Sequence, residues 1–283
     1  MASTNISQAG RQAERTARAA LNNPWVERLA RLGYAARGVV YALVGILAMQ
    51  TAFGHRGNQE TDTRSALEMV AEQSRALLWL LALGLFGYAL WRVIQGVMDP
   101  ENKGSDPKGL AKRAGMVMSG LIYGGLALAA VRMANGAGSG SGGGGGSQGW
   151  TAELMTKPFG RWLVALIGIG IIIGGFSQIW QGWTEKFRKH LKMQEMDANE
   201  QKLALHTGKL GLIARGIVFL LSGWFVVQAT LRFNPSEARG LAGALDTLAR
   251  QPSGPWLLAF VALGLIAFGA YSLLLARYRR IVF

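Results

Sequence analysis

Hydrophobic residues in this chain do not alternate with polar ones; they gather into blocks. Six runs of 20 to 22 residues are almost wholly apolar: Gly33 to Phe53, Leu77 to Met98, Ala114 to Met133, Trp162 to Trp183, Leu210 to Leu231 and Trp256 to Ala276. A helix of that length spans roughly 30 Å, the thickness of the hydrocarbon core of a bilayer. Buried helices of a soluble bundle would keep a polar face at helical spacing. The segment Leu163 to Ile173 has none. The pattern therefore predicts an all-α membrane protein with six transmembrane helices.

The blocks repeat. Gly33-Tyr34-Ala35-Ala36-Arg37-Gly38-Val39-Val40-Tyr41 returns as Gly211 to Phe219, and more loosely as Gly115 to Tyr123. In each copy an aromatic follows the second glycine by three positions. The later helix of each unit aligns too, with Gly84, Gly170 and Gly264 in one column and Gly96, Gly182 and Ala276 in another. Between the two helices lie Ser65 to Glu72, Trp150 to Met155 and Leu241 to Leu248, each mixing small, apolar and acidic residues. A tryptophan follows each, Trp79, Trp162 and Trp256, of the kind that sits at a membrane edge. The expected architecture is three tandem helical-hairpin repeats with short interfacial connector helices. The expected divisions are an arm over 1–27, repeats over 28–103, 104–184 and 206–283, and a linker over 185–205. A Gly/Ser-rich tract over 136–149 lies in the second repeat and reads as a flexible insert. No Lys-Ser/Thr follows it, so it does not match a phosphate-binding loop.

Charge gives the orientation. Of the 30 lysines and arginines, 21 fall in the arm, the two loops after each second helix and the tail, against 9 on the other side. The positive-inside rule places the 21, and with them both termini, on the cytoplasmic side. The net charge of +14 is thereby a topology signal, and nucleic acid is not an expected partner. The arm, with Arg11, Arg15 and Arg18 at helical spacing, reads as a cytoplasmic segment, either a helix near anionic headgroups or a solvated tail. The absence of cysteine excludes a disulfide framework and thiolate metal sites.

Candidate chemistry is sparse. All 16 acidic residues lie in loops, connectors or interfacial turns, so the intramembrane acid usual in proton-coupled transport is missing. His55, His190 and His206 are spread over loops on opposite sides, which predicts neither a relay nor a metal site. No hydrolase elbow or metalloprotease motif is present, and the expectation is a non-enzymatic protein without a cofactor. Gly38, Gly120 and Gly216 are expected at close helix contacts, with a ligand cleft as the alternative. Two sets of polar residues repeat within the spans: Gln50, Arg132 and Gln228 follow the repeat aromatic by nine positions, and Arg92, Gln178 and Ser272 lie near the inner ends of the second helices. Polar groups facing lipid are costly, so these are expected either between helices, as glue or lining a solute path, or snorkelling to the interface. Arg37 and Arg215 lie about one turn inside the membrane. They either snorkel to lipid phosphate or fasten their helix to a neighbour.

The pairs Leu32-Gly33, Ala36-Arg37-Gly38 and Tyr41, with Leu210-Gly211, Ala214-Arg215-Gly216 and Phe219, resemble the signature of the bacterial membrane family called domain of unknown function 1206. The middle copy departs from it, with Ser119 in place of the arginine. The resemblance implies a bacterial inner-membrane location and brings no activity. The expected function is action through helix packing, the lipid bilayer or a membrane-protein partner, including a second copy of the chain. The alternative is a passive channel or transporter for a small solute or ion along the repeat interface.

Overall fold

A computed structural model describes residues 24–54, 61–136 and 146–280. Residues 1–23 of the expected arm (1–27), His55 and residues 137–145 of the Gly/Ser tract lie outside the described residues, and residues 24–27 belong to the first helix. Among the described residues nine α-helices follow in order: α1 (Pro24–Ala52), α2 (Thr63–Gln73), α3 (Arg75–Met98), α4 (Pro107–Ala134), α5 (Gly146–Met155), α6 (Gly160–Trp183), α7 (Ala198–Leu231), α8 (Gly240–Ala249) and α9 (Gly254–Tyr278). Six of them, α1, α3, α4, α6, α7 and α9, are long and apolar enough to cross a membrane. The short helices α2, α5 and α8 are the three connectors. Large apolar side chains point outward along the long helices, among them Leu83 and Phe86 on α3, Leu166 and Ile173 on α6, and Phe260 and Leu263 on α9. Such a surface suits lipid rather than water.

Helix ends differ from the apolar blocks. The first helix of each repeat begins well ahead of its block, at Pro24, Pro107 and Ala198. Hydropathy marks where a helix meets lipid, whereas its end is set by capping. Asp106 accepts from the Gly109 N–H at 3.2 Å, and Asp197 forms a capping box with Glu200. Proline at the first turn of α1 and α4 lacks the N–H that a helix start leaves unpaired. The expected linker 185–205 is accordingly two 3₁₀ turns, Lys186–His190 and Met193–Glu195, followed by the start of α7. His206 sits exposed on that helix and not in a loop. Residues 146–149 of the Gly/Ser tract form the first turn of α5, because Ala152, Glu153, Leu154 and Met155 favour helix and carry them in.

The long helices pack in the order α4, α3, α1, α9, α7, α6. The second helix of each repeat lies against the first helix of the next, with α9 closing back onto α1. These three interfaces are equivalent. A Cβ on Gly38 of α1 would lie 2.9 Å from the Gly269 carbonyl of α9. One on Gly120 of α4 would lie 2.9 Å from the Ala89 carbonyl of α3, and one on Gly175 of α6 2.9 Å from that of Gly216 on α7. Small residues let the backbones touch, so association in lipid rests on close packing.

Contacts within a repeat are not equivalent. In the first and third repeats the two long helices also pack together, Gly33 against the Tyr88 backbone and Gly211 against that of Phe268. In the second, α4 and α6 make at most a grazing contact and lie at opposite ends of the row. The matching glycines, Gly115 and Gly170, face open space. The bundle is a three-repeat ring with one gap, between α4 and α6.

Candidate functional site

Each of the three equivalent interfaces carries one arginine and one neutral polar partner. Across α1 and α9, the Arg37 Nη2 donates to Ser272 Oγ at 3.0 Å. Across α7 and α6, the Arg215 Nη1 donates to Gln178 Oε1 at 2.8 Å. Across α3 and α4 the roles are exchanged: the arginine is Arg92, on the second helix, and its Nε donates to Ser119 Oγ at 3.5 Å. The serine that breaks the signature of the middle repeat is therefore matched by an arginine facing it.

Aromatic side chains join the three arginines into a ring. Arg37 lies 4.9 Å from the centres of both the Tyr88 and Phe268 rings, and its Nη1 donates to the Tyr88 hydroxyl at 2.5 Å. Arg92 stands 5.7 Å from the centre of the same Tyr88 ring. Arg215 lies 4.8 Å from Phe268, and its Nε donates to the Tyr41 hydroxyl at 2.9 Å. Tyr123 closes the circuit, with its ring 4.6 Å from that of Tyr88 and its hydroxyl 3.5 Å from that of Tyr41. Arg37 is only 6% exposed, whereas Arg92 and Arg215, on the two interfaces flanking the gap, are half-buried.

No carboxylate among the described residues touches any of the three guanidiniums. Cation–π contacts offset part of the cost of a charge in lipid, each by about 0.5–2 kcal/mol. A guanidinium has five donors, and here two polar atoms are left over: the Arg37 Nε and the Tyr34 hydroxyl are buried without a partner. Guanidiniums stay protonated at any physiological pH, so the ring attracts negative charge and does not shuttle protons.

A second cluster closes the end of the bundle beneath the ring. The end of α9 pairs with the linker, Lys192 N–H donating to the Tyr278 carbonyl at 2.8 Å and Arg280 N–H to that of His190 at 2.9 Å. There Glu101 accepts from Gln95 at 2.7 Å and from Arg279 at 2.9 Å. Gln95 in turn accepts from Arg92 at 3.1 Å, which links clasp and ring. Burial opposes ionisation of Glu101, but Arg279 and Lys103 outweigh it and hold the carboxyl down at about 2. Burial, with Arg279 second, lowers the His190 ring to about 4, so it is neutral at pH 7.

The structure thus brings Arg37, Arg92, Arg215 and Gln178 together at one level. Arg37 and Arg215 each reach across to neighbouring helices. Gly38, Gly120 and Gly216 sit at the crossings beside them. Gln50 and Arg132 are exposed and Gln228 is half-buried towards the connector ends of their helices, apart from the ring. The tyrosines, Gln95, Glu101 and Arg279 were not evident as site residues from the sequence. A usable signal was present: the arginine column of the first helices and the Arg92, Gln178, Ser272 column supply one arginine per pair when each is matched with the next repeat.

The fold and its arginines define a multi-pass membrane protein built from three tandem helical hairpins. The chain belongs to the family described as Domain of Unknown Function (DUF1206), whose profile matches three times, at residues 32–99, 114–185 and 210–279. A relative from Bacillus subtilis (strain 168), the uncharacterized protein YxxB, is 35% identical over 258 residues, covering 90% of this chain and 92% of its own. No solved structure matches the chain.

Proposed function

We propose that this is a non-enzymatic protein of the bacterial cytoplasmic membrane that acts by binding an anionic group at the arginine ring. The observation that carries the reading is three guanidiniums at one level of the membrane whose partners among the described residues are all neutral. Catalysis by proton transfer finds no support there, since no acid or histidine among the described residues touches the ring. A passive solute path finds less support than binding, because aromatic rings and guanidiniums occupy the space between the helices. The charge count favours termini, linker and clasp on the cytoplasmic side. A reporter active only outside the cytoplasm, fused after Asn102, is expected to be silent.

Anion binding is tested by melting the purified protein in non-ionic detergent. Sulfate or phosphate, at ionic strength matched to chloride, is expected to raise the Tm by several degrees, because a ligand that binds only the folded state stabilises it. Arg215→Gln is expected to remove most of that rise. Identical melting in all three salts would overturn the reading.

A further inference from the structure

We infer that the anion is the phosphate head of a membrane lipid, which reaches the ring sideways through the gap between α4 and α6. The inference rests on the anion-binding reading above and adds the ligand class and its route. Four observations converge on it.

The first is charge. Arg92 and Arg215, half-buried, flank the gap, with Arg37 behind them, and no carboxylate among the described residues contacts any of the three, Glu101 reaching Arg92 only through Gln95. A phosphate offers several acceptor oxygens and suits guanidinium forks. The second is an unused donor. The Arg37 Nε is buried without a partner beside that cluster. The third is depth. Arg215 follows Leu210, the start of its apolar block, by five residues, and Arg92 precedes Met98, the end of its own, by six. At 1.5 Å per residue the ring lies roughly 7–9 Å below the membrane edge, within reach of a headgroup drawn slightly inward. A soluble anion approaching from that end meets the clasp of Glu101, Arg279 and the linker, with a carboxylate in it.

The fourth is the shape of the walls. Gly115 on α4 and Gly170 on α6 occupy the positions that pack within a repeat elsewhere, and here nothing lies within 4 Å of either. Gly125 is equally open. Close to them Leu121 and Ile122 on α4 and Ile169 and Ile173 on α6 are exposed. Shallow glycine surfaces bordered by aliphatic side chains offer an acyl chain a bed alongside its headgroup. The counterparts of Gly115 and Gly170 in the first and third repeats, Gly33, Gly84, Gly211 and Gly264, are packed against the other helix of their repeat, so the opening is peculiar to the second.

The test titrates purified protein in detergent with three probes: dioctanoyl phosphatidic acid, dioctanoylglycerol with the same chains but no phosphate, and inorganic phosphate. Phosphatidic acid is expected to bind at least ~10-fold tighter than inorganic phosphate, and dioctanoylglycerol not measurably. Arg215→Gln should weaken phosphatidic acid by about tenfold, the scale of one charged hydrogen bond. Gly170→Trp, which fills the gap without touching an arginine, should remove the advantage of phosphatidic acid and leave phosphate binding intact. Lys108→Gln, a charge change on the exposed start of α4, should alter neither. Phosphatidic acid binding no tighter than phosphate would overturn the lateral lipid route and leave the anion-binding reading standing. No response to either phosphate would overturn both.

Discussion

Gly33→Ala and Gly211→Ala are expected to destabilise the protein severely, while Gly115→Ala, at the equivalent position of the middle repeat, leaves it unharmed. A Cβ on Gly33 would lie 2.5 Å from the Tyr88 nitrogen and 2.7 Å from its Cα. One on Gly211 would lie 2.5 Å from the Cα of Phe268. These are backbone atoms of a neighbouring helix, which cannot turn aside as a side chain can. The helices must separate, losing contact along their length, at a cost of about 1–3 kcal/mol or more for each added methyl group. At Gly115 nothing lies within 4 Å, and alanine is the better helix former by roughly 1 kcal/mol. Melting in detergent should therefore show two large falls in Tm and one value at or above wild type. Three equal falls would mean that the middle repeat packs like the others.

The second large effect is expected for Arg37→Lys. The guanidinium donates to the Tyr88 hydroxyl and to Ser272 from opposite sides of a buried site, and it lies over the Tyr34, Tyr88 and Phe268 rings. Lysine keeps the charge but has no planar fork, and from one nitrogen it cannot hold both partners in this geometry. Each charged hydrogen bond lost is worth about 1.5–3 kcal/mol. Arg215→Lys should cost less, because Arg215 is half-buried and its lysine replacement retains access to the surroundings of the gap. Snorkelling alone would make both substitutions neutral. Wild-type melting in Arg37→Lys would reduce this arginine to a marker of orientation.

The spans and the repeat were legible because both are one-dimensional. A bilayer demands a run of apolar residues, and a repeat leaves its signature in register. The connectors were legible for the same reason, as short mixed segments ahead of Trp79, Trp162 and Trp256. Helix starts were not, since Asp106 and Asp197 cap helices in water, beyond any hydropathy signal. Still less legible was which helix meets which. Arg37 is paired with Ser272 across most of the chain, and that pairing follows from α9 closing onto α1, which no local pattern encodes. The exchange of arginine between Arg92 and Ser119 looked like a departure from the signature when the first helices were compared only with one another. In three dimensions it preserves one arginine at each interface. Gln50, Arg132 and Gln228 repeat just as regularly, yet periodicity alone could not tell that column from the one that meets at the ring.

The gap between α4 and α6 is most directly read by disulfide trapping, which the absence of native cysteine makes clean. Three equivalent pairs of cysteines are introduced, at Ala36 and Gly84, at Ala214 and Gly264, and at Met118 and Gly170. A Cβ on Gly84 would lie 2.5 Å from that of Ala36, so a small separation of the helices brings the pair to the 3.5–4.5 Å that a disulfide needs. Oxidation in native membranes is expected to join the first and second pairs and to leave the third as free thiols. Joining of Met118→Cys to Gly170→Cys as readily as the other two would show a closed ring and contradict the open middle repeat.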